Sequence, residues 1–107
     1  MLTVDSTLQK TLQDALLGQI NTLRTTRAAG AGRECRAGAA VVVDVRTGGI
    51  LAAANVPGFD LNAYRADYTA LSADAAAPLL DRVCQGLYAP GSAFKPAVAA
   101  AALTAGI

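Results

Sequence analysis

Residues 39–45 read AAVVVDV, residues 46–49 read RTGG, and residues 50–56 read ILAAANV. No other stretch limits the fold of this chain so strongly. A β-branched run is stiff at χ1 and suits a strand. Its apolar run is continuous enough to suit a well-buried one. The paired glycines permit the positive φ of a hairpin turn, so residues 50–56 are expected to return as the partner strand. Their alanines leave room for a helix packed close against the sheet. The first helix is the expected neighbour. Leu8, Leu12, Ala15, Leu16 and Leu23 recur at helical spacing, which predicts a helix over residues 7–25. Ser6 and Gln9 have the spacing of a capping box, and Asp5 is an alternative cap. Helix on antiparallel hairpin gives an α+β class.

The remainder is less regular. Residues 28–38 read as a loop, and Arg24, Arg27, Arg33 and Arg36 as a solvated basic linker. Residues 57–62 break the second strand and begin a surface loop. Helical turns are expected over residues 67–71 and 77–83. Tyr68 and Leu71 share a helical face and are expected to pack. Asp81 and Arg82 suggest a local ion pair. The final helix is predicted over residues 92–105 with Gly106 as its stop. Nearly every position in it is apolar, so it requires burial.

Composition narrows the function. The chain has 107 residues, one domain at most, with a net charge of +1. Near-neutrality gives no footprint for nucleic acid or an anionic membrane. The longest apolar runs, residues 37–43 and 97–103, fall short of the roughly 20 residues that span a bilayer. No signal peptide follows Met1. Cys35 and Cys84 have no metal or redox spacing, and Cys84 reads as a small buried side chain. No cofactor or metal is implied. Histidine is absent, so no serine–histidine or cysteine–histidine unit can be built.

A different nucleophile–base pair is available. Tyr88-Ala89-Pro90-Gly91-Ser92-Ala93-Phe94-Lys95-Pro96 leads into an alanine-rich run. Read as a loop that becomes a helix, it puts Lys95 on the same face as Ser92, three residues on. A lysine amine takes a serine proton only when it is itself uncharged. The positive helix end and burial against Phe94 and the alanine face both disfavour the ammonium. The same helix end favours a developing alkoxide, and the Ser92 N–H is placed to donate to an oxyanion. The tetrad alone is weak, and by itself reads first as a serine N-cap with a solvated lysine.

The flanking residues add a resemblance. Pro78-Leu79-Leu80-Asp81-Arg82, Gln85-Gly86-Leu87-Tyr88 and Pro90-Gly91-Ser92-Ala93-Phe94-Lys95 together resemble the active-serine region of penicillin-binding proteins, which share Ser-x-x-Lys with serine β-lactamases. Leu2-Thr3-Val4-Asp5 with Leu8-Gln9, and Pro57-Gly58-Phe59-Asp60-Leu61-Asn62, resemble upstream parts of that transpeptidase domain in the right order. Asp81 and Val83 depart from the usual Asn and Ala. The S-x-N and K-T-G motifs of the family do not occur. The resemblance thus implies an incomplete β-lactamase/transpeptidase-like fold. Residues 1–107 would be the N-terminal part of one domain, truncated after the active-serine helix. It implies a D,D-transpeptidase of peptidoglycan cross-linking, with Ser92 as nucleophile and Lys95 as base. Its partners would be the D-Ala-D-Ala stem peptide and β-lactam antibiotics. The parent would be membrane-anchored, facing outward, in a cell-wall synthesis complex, and the Gln-Gly-x-Tyr run leans towards the elongation type. Alternatives are a serine β-lactamase, a β-lactam sensor, or a non-catalytic assembly module. This stretch alone is expected to be inactive and to self-associate.

Overall fold

A computed structural model describes residues 2–26 and 34–107; residues 27–33, including Arg27 and Arg33 of the predicted basic linker, lie outside the described residues. The element order is α1 (Ser6–Thr26), β1 (Gly38–Val43), β2 (Ile50–Val56), α2 (Tyr64–Ala73), α3 (Arg82–Gln85), a 3-10 turn (Gly91–Phe94) and α4 (Lys95–Thr104). The class is α+β, as expected.

β1 and β2 form an antiparallel pair, with Gly38 opposite Val56, Ala40 opposite Ala54 and Val42 opposite Ala52. Side chains alternate across a strand, so these six residues share one face. That face carries the core: Ala52, Ala54 and Val56 are buried, with Ile20 of α1 above them. Residues 39, 41 and 43 face the other way and are exposed. The helix sits close because Gly38 has no side chain. A Cβ there would lie 3.2 Å from Ile20 Cδ1 and 3.4 Å from Leu16 Cδ1.

β1 stops at Val43, two residues short of the expected end. Asp44 is the cause, because its side chain organises the turn itself. Oδ1 accepts from the Arg46 N–H (2.9 Å) and Oδ2 from the Thr47 hydroxyl (3.0 Å). Val45 is consequently outside the sheet and 97% exposed.

The outer edge of β2 is covered by side chains from the N-terminal segment. Thr3 Oγ1 donates to the Ile50 carbonyl, and the Asp5 N–H donates to the Leu51 carbonyl. The Gln9 amide then behaves like a neighbouring strand: its Nε2 donates to Ala53 O (2.7 Å) and its Oε1 accepts from Ala53 N–H (2.8 Å). The helix cap therefore belongs to Asp5, whose Oδ1 accepts from the Leu8 N–H. Gln9, expected in a capping box, is committed to the sheet instead.

Beyond β2 the packing thins. α2 is longer than the predicted turn but has no buried residue. Tyr68 is half exposed and meets Tyr64 edge-on at 5.6 Å instead of entering the core. The predicted turn over residues 77–83 is replaced by α3, which starts only at Arg82. Pro78 disfavours the α conformation at the residue before it, and Ala77 adopts a positive φ of 49°. Cys84, expected to be buried, is exposed, because α3 turns Val83 rather than Cys84 inward; Cys35 is half-buried and both thiols are free. The radius of gyration is 17.2 Å, against about 13 Å for a compact domain of this length. Among the described elements, α4 contacts only the 3-10 turn that precedes it.

Candidate active site

Ser92 and Lys95 stand where the chain changes helix type. Gly91 takes a positive φ of 53° and opens the turn. Pro96 sets the bonding of the next turn. In an α-helix the N–H of residue 96 would bond the carbonyl of Ser92, but proline has no N–H and its ring crowds that carbonyl. The Ser92 carbonyl accepts from the Lys95 N–H instead. A bond over three residues is a 3-10 bond, and residues i and i+3 eclipse in that geometry. Ser92 and Lys95 therefore lie one above the other on the same side of the turn. The expected shared face is present, reached through a tighter turn than an α-helix.

The expected burial is not. Ser92 and Lys95 are exposed, Phe94 is 56% exposed, and the alanine face of α4 is open to solvent. Among the described residues no hydrogen bond joins Ser92 Oγ to Lys95 Nζ. Among the described residues, three surface clefts are lined by neither Ser92 nor Lys95. The most apolar of these three, about 460 Å³, runs along the free edge of β1 against Arg82, Val83 and Tyr88. What the turn does supply is the N-terminal end of a ten-residue helix. Its partial positive charge favours an anion on Ser92.

The segment that delivers this turn is held more firmly than the turn itself. Asp81 caps α3 and is also tied to the sheet. Its Oδ1 accepts from the Val83 N–H (3.1 Å), the Cys84 N–H (3.4 Å) and Asn55 Nδ2 (3.1 Å). Asn55 Oδ1 in turn accepts from the Val83 N–H (3.2 Å). Hydrogen bonding from the Cys84 thiol, then from Asn55, holds the Asp81 carboxyl below its ordinary value. The same carboxylate pushes the Cys84 thiol above its own.

Arg82 does not pair with Asp81, as the sequence suggested. It is 7% exposed, turns inward and, among the described residues, forms no salt bridge. Nη2 donates to Ala76 O (2.6 Å), and Nη1 to Ala77 O (2.9 Å) and Leu80 O (3.4 Å). The planar guanidinium fork thus gathers the carbonyls of the loop before α3. After α3, the Tyr88 ring lies across Gly86, where a Cβ would collide with that ring and with the Arg82 carbonyl. Sequence reasoning missed Asn55. The available signal was its place as the sole polar residue in an otherwise apolar strand.

Comparison with known proteins gives the family. The family model described as penicillin binding protein transpeptidase domain matches residues 38–107. The peptidoglycan D,D-transpeptidase MrdA of Escherichia coli K12 is 46% identical over 74 residues, covering 64% of this chain and 12% of the relative. MrdA of Salmonella typhimurium LT2 is 36% identical over 111 residues, covering 99% of this chain and 15% of the relative. The probable peptidoglycan D,D-transpeptidase PenA of Neisseria gonorrhoeae is 43% identical over 74 residues, covering 68% and 11%. The chain thus spans about an eighth of the length of these curated relatives. No solved structure matches it. The family match begins at β1 and runs through Asn55, Asp81, Ser92 and Lys95 to α4, and on that match the chain belongs to the penicillin-binding protein transpeptidase family.

Proposed function

We propose that this chain carries the acylating serine of a peptidoglycan D,D-transpeptidase. The observation that bears most weight is the eclipsed Ser92–Lys95 pair at the entry to α4, in a chain of this family. Ser92 Oγ gives its proton to the uncharged Lys95 amine and attacks the carbonyl carbon of the D-Ala-D-Ala bond. The carbon–nitrogen bond breaks. The departing D-Ala amine takes the proton from Lys95, and the stem peptide is left as an ester on Ser92. An amine of a neighbouring stem peptide then attacks that ester, and the serine oxygen recovers a proton as it leaves. A β-lactam enters by the same attack, but its leaving nitrogen stays tethered to the acyl group.

Residues 1–107 are read as the N-terminal part of a single such domain. The whole protein acts at the outer face of the cytoplasmic membrane in a cell-wall synthesis complex. Among the described residues no helix is long and apolar enough to cross a membrane. The chain by itself, lacking S-x-N and K-T-G, is inactive and associates through the exposed face of α4.

Labelling of the full-length protein with fluorescent penicillin tests the reading. Wild type is expected to label covalently and Ser92→Ala not at all. Lys95→Ala is expected to slow acylation by about 10²- to 10⁴-fold, the usual weight of a positioned base. Equal labelling of Ser92→Ala and wild type would remove Ser92 as the nucleophile.

A further inference from the structure

We infer that Asn55 and Asp81 are positioning residues for the nucleophile: together they latch α3 to β2 and so fix the point from which the Ser92 turn is launched. The inference rests on the transpeptidase reading above and extends it to residues that touch no substrate.

The geometry carries it in three steps. First, the latch is reciprocal. Asn55 donates to Asp81 and accepts from Val83, while Asp81 accepts from Asn55 and from two N–H groups of α3. Both donors of the first turn and both side chains are thereby joined. A helix of four residues has no intrinsic stability, so α3 holds its place through this cap and through packing. Second, Asn55 stands on the packed layer. β2 is paired to β1 on one side and held by Gln9 and Asp5 on the other. The latch therefore refers α3 to the most constrained part of the molecule. Third, the connection onward is short and partly stiffened. Tyr88 folds back over Gly86, and Pro90 has its φ fixed by its ring. Six residues separate α3 from Ser92, and α4 contributes no anchor because, among the described elements, it contacts the 3-10 turn alone. Among the described elements, α3 is thus the last one before Ser92 that is tied to the sheet.

Nucleophile placement is the quantity such a latch controls. A displacement near 1 Å at the reacting atom costs on the order of 10²-fold in rate. Asn55→Asp is nearly isosteric, removes the donor to Asp81 and sets two carboxylates against each other. In the exchanged pair, Asn55→Asp with Asp81→Asn, one amide and one carboxylate face each other again, with every acceptor for the Val83 and Cys84 N–H groups retained.

The experiment is stopped-flow acylation of the full-length protein by a fluorescent penicillin, separating the dissociation constant of the initial complex from the acylation rate constant. Asn55→Asp is expected to lower the acylation rate constant by about 10- to 100-fold, with initial binding within about 3-fold of wild type. The exchanged pair is expected to recover most of the rate. Asp81→Ala, which opens the latch from the other side, should match Asn55→Asp. Wild-type acylation rates in folded Asn55→Asp and Asp81→Ala would overturn the inference. So would an exchanged pair that regains the wild-type melting temperature but not the rate, since the latch would then hold structure without placing the serine. Failure of wild type to label, or labelling of Ser92→Ala, is a different result: it removes the transpeptidase reading, and the latch's role in it, whatever the latch variants do.

Discussion

The two ends of this molecule are built on opposite terms. The N-terminal layer is tied together within itself: α1 supplies Ile20 to the sheet, Gln9 completes the edge of β2, and Asp5 caps α1. In the C-terminal segment the demand for burial is unmet among the described residues. Phe94, Val98 and Leu103 are 56%, 55% and 78% exposed, on a helix apolar enough to demand a partner. The comparison teaches where the chemistry takes its order from. Ser92 and Lys95 are aligned with each other by a local backbone bond. They are aligned with the rest of the molecule only through α3 and the sheet. Local pairing and global placement are separate problems, solved by different residues.

The sharpest way to break that comparison is amide hydrogen exchange on the chain. β2 and the sheet-facing turns of α1 are expected to exchange at least about 10³-fold more slowly than α4. An isolated ten-residue helix is marginal in water, and protection tracks local opening. Protection of α4 equal to that of β2 in a dilute monomer would mean that the helix is covered, and the contrast would fall. Protection that appears only at high concentration would instead locate self-association on α4.

Arg82 marks the border between the two regimes, so its replacement comes next in size. Removing the guanidinium takes its bonds from the Ala76, Ala77 and Leu80 carbonyls, of which Ala77 keeps the Leu80 N–H, and opens a void behind α3. Hydrogen bonds to charged groups are each worth about 1.5–3 kcal/mol, so Arg82→Ala is expected to cost about 2–4 kcal/mol in urea unfolding. Arg82→Lys should recover only part of this, since an ammonium cannot reproduce the planar fork. A cost under about 0.5 kcal/mol, the range of an ordinary surface change, would show that α3 is held by the Asn55–Asp81 latch alone.

The same border separates what the sequence made legible from what it did not. The hairpin, α1 and the α4 stop at Gly106 come from short-range chemistry: branched side chains, helical spacing and glycine. So does the serine–lysine spacing. The errors occur where a side chain serves a distant element. Gln9 fits a capping box by spacing, but its amide is worth more to a bare strand edge. Arg82 sits beside an acid in sequence, yet the positive φ at Ala77 and the turn at Pro78 bring three carbonyls around it. Asn55 looks like a strand interruption until α3 is folded against it. Burial of α4 is a demand that its sequence makes and that no described residue meets. The register of such long-range partners depends on loops whose course no local pattern encodes.

The smallest expected effect tests whether the latch is ionic. Asp81 has its carboxyl held below the ordinary value, by the Cys84 thiol and then by Asn55. Folding therefore favours the carboxylate. That contribution is complete above the usual carboxylate range, near pH 4, and disappears as pH falls through the lower, folded value. Asp44 is shifted in the same direction by the Arg46 N–H and the Thr47 hydroxyl, but it is present in both wild type and Asp81→Ala and cancels from their difference. The difference in urea midpoint between these two proteins should thus be constant from pH 7 to about pH 5, and should narrow steadily below pH 4. The Cys84 thiol gives an independent reading of opposite sign. It is raised by the same carboxylate, so alkylation of Cys84 at pH 8 should quicken in Asp81→Asn. A stability gap that stays level to pH 2.5, with unchanged alkylation, would mean that Asp81 acts as a neutral acceptor. Asn55 would then hold α3 as one amide holds another, and the tie between the sheet and the Ser92 turn would survive acid that unfolds the turn at Asp44.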